Sequence, residues 1–146
     1  MRTLQAVSIG IALSVVAVSS NAGEEPIVIG EVSSQVARDG VDYASLVRSA
    51  SEEEVRALDV SHVPHGKHVI VSVALVRMDT FAEPSVTDAT CEISATLRDA
   101  KRGAVFAILE GRARAKSEGA PNTVELSALQ GALHGALARI PDVLRH

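Results

Sequence analysis

Between Thr87 and Lys116 the chain alternates apolar and polar residues with a period of two, twice over, on either side of a short loop. Ala89, Cys91, Ile93, Ala95 and Leu97 point one way, while Asp88, Thr90, Glu92, Ser94, Thr96 and Arg98 point the other. A period of two places successive side chains on opposite faces of a strand, so this segment has one apolar and one wet face. Asp99-Ala100-Lys101-Arg102-Gly103 interrupts the pattern as a hairpin loop, with Gly103 placed to take the positive φ that such loops need. The return strand, Ala104 to Lys116, keeps Val105, Ala107, Leu109, Ala113 and Ala115 on one face. Its other face changes from Phe106 and Ile108 to Glu110, Arg112, Arg114 and Lys116, so the strand is expected to start covered and end in solvent. A hairpin of this kind needs something to lie on its apolar face, and the rest of the chain must supply it.

The flanking segments read as that cover. Ile27-Val28-Ile29-Gly30-Glu31-Val32 is β-branched and reads as a strand, followed by a polar loop from Ser33 to Asp39. From Asp42 to Leu58 Tyr43, Leu46, Val47 and Ala50 share a helical face, and Ser51-Glu52-Glu53-Glu54 has the form of a capping box. His68 to Met78 is the strongest strand, with Val69, Val71, Val73 and Leu75 on one face and Ile70, Ala74, Val76 and Met78 on the other. Apolar character on both faces predicts a central position in the sheet. After a break at Ser117 to Pro121 the last helix is expected to begin near Asn122, with Glu125 completing a second capping box. Its stripe is Leu126, Leu129, Leu133, Leu137 and Ile140, and Pro141 ends it. The fold class is α+β: the order β-α-β-β-β-α, a mostly antiparallel sheet with helices packed mainly on one face.

The first residues carry an address rather than structure. Arg2 precedes an uncharged apolar run from Ala6 to Val18, and Ser20-Asn21-Ala22 presents small side chains where a signal peptidase reads them. That run rises about 20 Å as a helix, short of the roughly 30 Å hydrocarbon core, so it is not read as a membrane anchor. Residues 1–22 are expected to be a signal peptide and 23–146 a single α+β domain, periplasmic or secreted. Gly23 follows the cleavage point where a lipoprotein would have Cys, so no lipid anchor is expected, and no transmembrane segment after cleavage. Cys91 is the only cysteine, which excludes a disulfide framework. A formal net charge of −4 and three aromatic residues (Tyr43, Phe81, Phe106) give nucleic acid no reason to bind.

Few residues invite chemistry. His62, His65 and His68 surround a Pro64-His65-Gly66 turn and could hold zinc or copper, although no acidic residue within the segment completes a ligand shell. Otherwise no cofactor is expected. Cys91 lies on the apolar face of its strand and reads as a small core residue, and His134 reads as surface. The Gly131 and Gly135 pair, with Ala128, Ala132 and Ala136, lets the last helix approach the sheet closely. Arg98, Arg112, Arg114 and Lys116 form a basic stripe on one sheet face that could meet an acidic partner, with Glu92, Glu110 and Glu118 near enough to neutralise it. The chain has no phosphate loop, no Gly-x-Ser-x-Gly elbow, no His-Glu-x-x-His and no Ser-x-x-Lys, so no catalytic residue is assigned.

The order IVIGEV, a helix ending VRAL, HVIVSVALVRM and the hairpin CEISATLRDAKRGAVFAILEGRARA resembles the small α+β domain of envelope accessory proteins, of the TolB amino-terminal-domain and curli-secretion-lipoprotein (CsgG) type. The resemblance spans about residues 26 to 140 and implies a non-enzymatic, partner-binding role. The expected function is therefore an exported accessory domain of the bacterial envelope that contacts a protein partner or itself. A metal-binding protein using the three histidines and a small hydrolase with scattered residues are the alternatives.

Overall fold

A computed structural model describes residues 25–146, and the expected signal peptide at residues 1–22 lies outside them. The elements are β1 (Ile27–Ser34), α1 (Tyr43–Arg56), β2 (Val69–Ala82), β3 (Thr87–Asp99), β4 (Val105–Ser117), α2 (Pro121–Leu137) and a short α3 (Ile140–Leu144). They form one sheet in the order β1-β2-β3-β4. β1 runs parallel to β2 through the α1 crossover, and the two hairpins that follow are antiparallel. The α+β architecture and the chain order read from the sequence are those of the molecule.

One sheet face makes the core. Val71, Val73 and Leu75 of β2 and Ala89, Cys91, Ile93, Ala95 and Leu97 of β3 are buried against Val47 of α1 and Leu129, Leu133 and Leu137 of α2. Each buried Val, Leu or Ile contributes about 1.5–3 kcal/mol of transfer free energy, and this layer holds the helices to the sheet. β2 takes the central place its two apolar faces require. A bulge between Leu75 and Arg77 reverses the alternation there, so Met78 enters the core, contrary to the face expected for it, while Val76 is turned out and is 37% exposed.

The helix ends differ from the capping boxes read in the sequence. Asp42 is the N-cap of α1, accepting from the Ser45 amide at 3.1 Å. Ser51 lies inside that helix, fully buried, its hydroxyl without a hydrogen-bond partner among the described residues. At α2 the N-cap is Ala120 with no side-chain bond, and Pro121 opens the helix. α2 ends at Leu137, ahead of Pro141, which sits in the first turn of α3. Leu126 is 38% exposed at the rim, and Val124, Ala128, Ala132 and Ala136 complete the buried face instead. The close approach has its key on the strand: a Cβ on Gly111 of β4 would lie 1.9 Å from the Ala132 carbonyl oxygen.

Candidate functional site

The helices cover one face of the sheet, and among the described residues nothing covers the other. At the end nearest the β3–β4 hairpin Phe106 and Ile108 of β4 are 47% and 62% exposed and Val105 stands opposite Arg98, while Val28, 46% exposed, lies across the sheet on β1. The sequence expectation that β4 starts covered is corrected here: nothing among the described residues covers Phe106 or Ile108. Alternation predicted which face these residues take, but it could not show that both helices would pack on the opposite one.

The far end of the same face is charged and internally balanced. Glu92 and Arg112 are directly opposite in the β3–β4 register and pair at 2.6 Å. Arg114 reaches diagonally to Asp88, donating from Nε at 2.9 Å and from its second guanidinium nitrogen to the other oxygen. This hydrogen bond, reinforced by the guanidinium charge, holds the Asp88 carboxyl below the usual carboxylate range. Lys116 sits opposite Asp88. Arg98 does not join them: it pairs with Val105 at the hairpin end, six strand positions or about 20 Å from the Glu92–Arg112 rung. The expected basic stripe is therefore two ion pairs, at Arg112 and Arg114, with Lys116 next along β4 and Arg98 apart.

His62, His65 and His68 lie along the α1–β2 connection, His62 and His65 exposed and His68 half-buried at the entry to β2. Among the described residues no three His, Cys, Asp or Glu side chains stand where they could share a metal ion, so the turn does not gather the expected ligand set. Cys91 is fully buried, and desolvation pushes its thiol up to about 12, far from a nucleophile's range. His134 is exposed as expected, but its Nδ1 lies 2.5 Å from a Glu54 carboxylate oxygen and ties α2 to α1.

A polar centre that sequence reading missed lies under the α1–α2 junction. Glu125, 4% exposed, accepts hydrogen bonds from the Thr80 hydroxyl at 2.5 Å and the Tyr43 hydroxyl at 3.1 Å, and pairs with Arg38 at 2.6 Å. Arg38 also lies 6.0 Å above the Tyr43 ring. Burial, followed by the Glu125 charge, raises the Tyr43 hydroxyl above its ordinary 10.0. A groove of about 580 Å³ opens beside this centre, with Leu46, Met78 and Leu126 among its lining residues. The sequence signal was faint: Glu125 fits a capping box, and only its place between Val124 and Ala128 on the buried face marks it as inward.

No family model and no curated protein matches this chain. Solved structures do match its fold. A hypothetical protein of Chlamydia trachomatis superimposes with a TM-score of 0.56 at 8% identity, over 81% of this chain and 96% of that one. The PelC dodecamer of Paraburkholderia phytofirmans gives 0.54 at 16%, over 77% and 86%. A Xanthomonas campestris protein of the DUF330 family gives 0.51 at 16%, over 81% and 82%. At these identities what is shared is the α+β architecture. No helix among the described residues is long and apolar enough to cross a membrane.

Proposed function

We propose that this is a non-enzymatic domain exported to the cell envelope, acting through protein–protein contacts, with further copies of itself first among its partners. The observation that carries the reading is the bare sheet face, on which Phe106 and Ile108 of β4 stand exposed where the chain's own pattern calls for cover. Large apolar side chains left exposed on a small domain are characteristic of an interaction site. Three further points support it. The neighbouring fold in PelC assembles as a dodecamer. The element order is similar to that of the TolB and curli-secretion type of accessory domain. Residues 1–22 read as an export signal.

The test is cross-linking in living cells, followed by affinity recovery of the protein from the envelope fraction and mass spectrometry. The expected result is a dominant cross-link to one envelope protein or to a second copy of this chain. Recovery from the cytosol, or an envelope protein with neither kind of cross-link, overturns the reading.

A further inference from the structure

Glu125 and Tyr43 together form a seat for a cation, and the chain's own Arg38 sits in it. The Arg38 guanidinium pairs with the buried Glu125 carboxylate at 2.6 Å and lies 6.0 Å from the centre of the Tyr43 ring. A carboxylate and an aromatic face around one position are the means by which a guanidinium is recognised. The seat is built into the fold, since Thr80 of β2 and Tyr43 of α1 both donate to the same carboxylate. Its occupant is held less firmly: Arg38 comes from the connection between β1 and α1, and its side chain is 41% exposed. The groove of about 580 Å³ opens beside this seat, lined by both Glu125 and Tyr43. Leu46 of α1 and Leu126 of α2 also line it, and both are exposed. Its only charged lining residues are Asp42 and Glu125, both acidic.

We propose that this groove takes a segment of a partner polypeptide in which an arginine stands beside an apolar residue. The partner's guanidinium replaces Arg38 on Glu125, and its apolar neighbour covers Leu46 and Leu126. Arg38 itself names the ligand, because it shows that a guanidinium fits between this carboxylate and this ring. Charge points the same way: an acidic segment would meet Asp42 and Glu125, and a basic one complements them. The seat cannot stand empty, since a buried carboxylate stripped of its counter-charge is strongly destabilised. Arg38 therefore closes it until a partner arrives, and the contact is autoinhibitory. A short tether keeps Arg38 at an effective concentration on the order of millimolar, so a competing arginine prevails only with apolar burial beside it. That requirement sets the specificity, an arginine and an apolar side chain together. The groove lies on the helical side of the sheet, so the inference does not depend on the face that carries the proposed function.

The experiment is an NMR titration of the isotope-labelled protein with acetyl-Leu-Leu-Arg-amide and with its citrulline counterpart, whose neutral urea has nearly the size of the guanidinium. The arginine peptide is expected to shift the amides of Tyr43, Leu46 and Leu126, with a dissociation constant at least tenfold below that of the citrulline peptide. Arg38→Ala removes the internal competitor and is expected to tighten the arginine peptide at least fivefold. Should Arg38→Ala fail to fold, Leu126→Asn decides in its place. That substitution lies at an exposed position and is expected to weaken the arginine peptide at least fivefold. No shift at these three amides, equal affinity for the two peptides, or no tightening in folded Arg38→Ala overturns the proposal. An unweakened Leu126→Asn does the same. Shifts centred on Phe106 and Ile108 reject the groove and leave the contact-based function standing.

Discussion

Glu125 shows how one side chain can hold four elements together. Its carboxylate gathers Thr80 from β2, Tyr43 from α1 and Arg38 from the loop between β1 and α1, while the residue itself belongs to α2. Glu125→Ala leaves the buried Tyr43 hydroxyl and the half-buried Thr80 hydroxyl without their acceptor, a loss of about 1–3 kcal/mol. Arg38 is 41% exposed and recovers water, so its share of the loss is small. Glu125→Gln keeps an acceptor and is expected to lose less; urea denaturation of both variants measures the difference. Tyr43 adds a pH dependence. Because its hydroxyl titrates above 10.0 in the folded state, its stabilisation is complete below that value and is lost as pH rises through the folded value. Denaturation midpoints of the wild type should therefore fall above about pH 10, and those of Tyr43→Phe should fall less.

At the level of elements the strand pattern was legible to within a few residues, because alternation depends on local chemistry alone. β3 and β4 begin and end close to their expected limits, and Gly103 takes the positive φ assigned to it. The bulge that moves Met78 into the core was not legible, since its cause is the pairing of β2 with β3 and not the composition of β2. The helix starts were misread for a similar reason: Ser51 and Glu125 have capping chemistry, and tertiary burial claims both. Of the site, alternation put Phe106 and Ile108 on one face, but their exposure depends on where the helices pack, and Val105, expected beside Ala107 and Leu109, is 55% exposed opposite Arg98 because the register shifts between them. The α2–β4 contact allows a paired prediction. Gly111→Ala puts a Cβ against the Ala132 carbonyl and should cost about 3 kcal/mol, near the upper end for overpacking. Gly135→Ala has no atom within 4 Å of the new Cβ and should gain up to about 1 kcal/mol in helix propensity. Thermal melts of the two variants shifting in the same direction would contradict this packing.

The described residues have two sides, a helical layer over the core and an uncovered sheet face with exposed Phe106 and Ile108 toward one end and ion pairs toward the other. Salt distinguishes which end makes contact. Exposed ion pairs are screened beyond about 8 Å at physiological ionic strength and weaken as salt rises. Burial of apolar side chains and main-chain pairing do not weaken in this way, and salts excluded from the surface strengthen burial. If self-association uses the exposed Phe106 and Ile108, the dissociation constant of the complex should stay level or fall between low and high sodium sulfate. The double reversal Arg112→Glu/Arg114→Glu should leave it unchanged, because those side chains are occupied by Glu92 and Asp88 and lie further along β4 than Ile108. The same reversal sets like charges opposite Glu92 and Asp88 at an exposed, solvent-screened site, a small cost that leaves the variant folded for the measurement. A dimer that dissociates with rising salt and with the reversal would move the contact to the charged end. Its insensitivity to both would place the contact at the exposed Phe106 and Ile108 of β4.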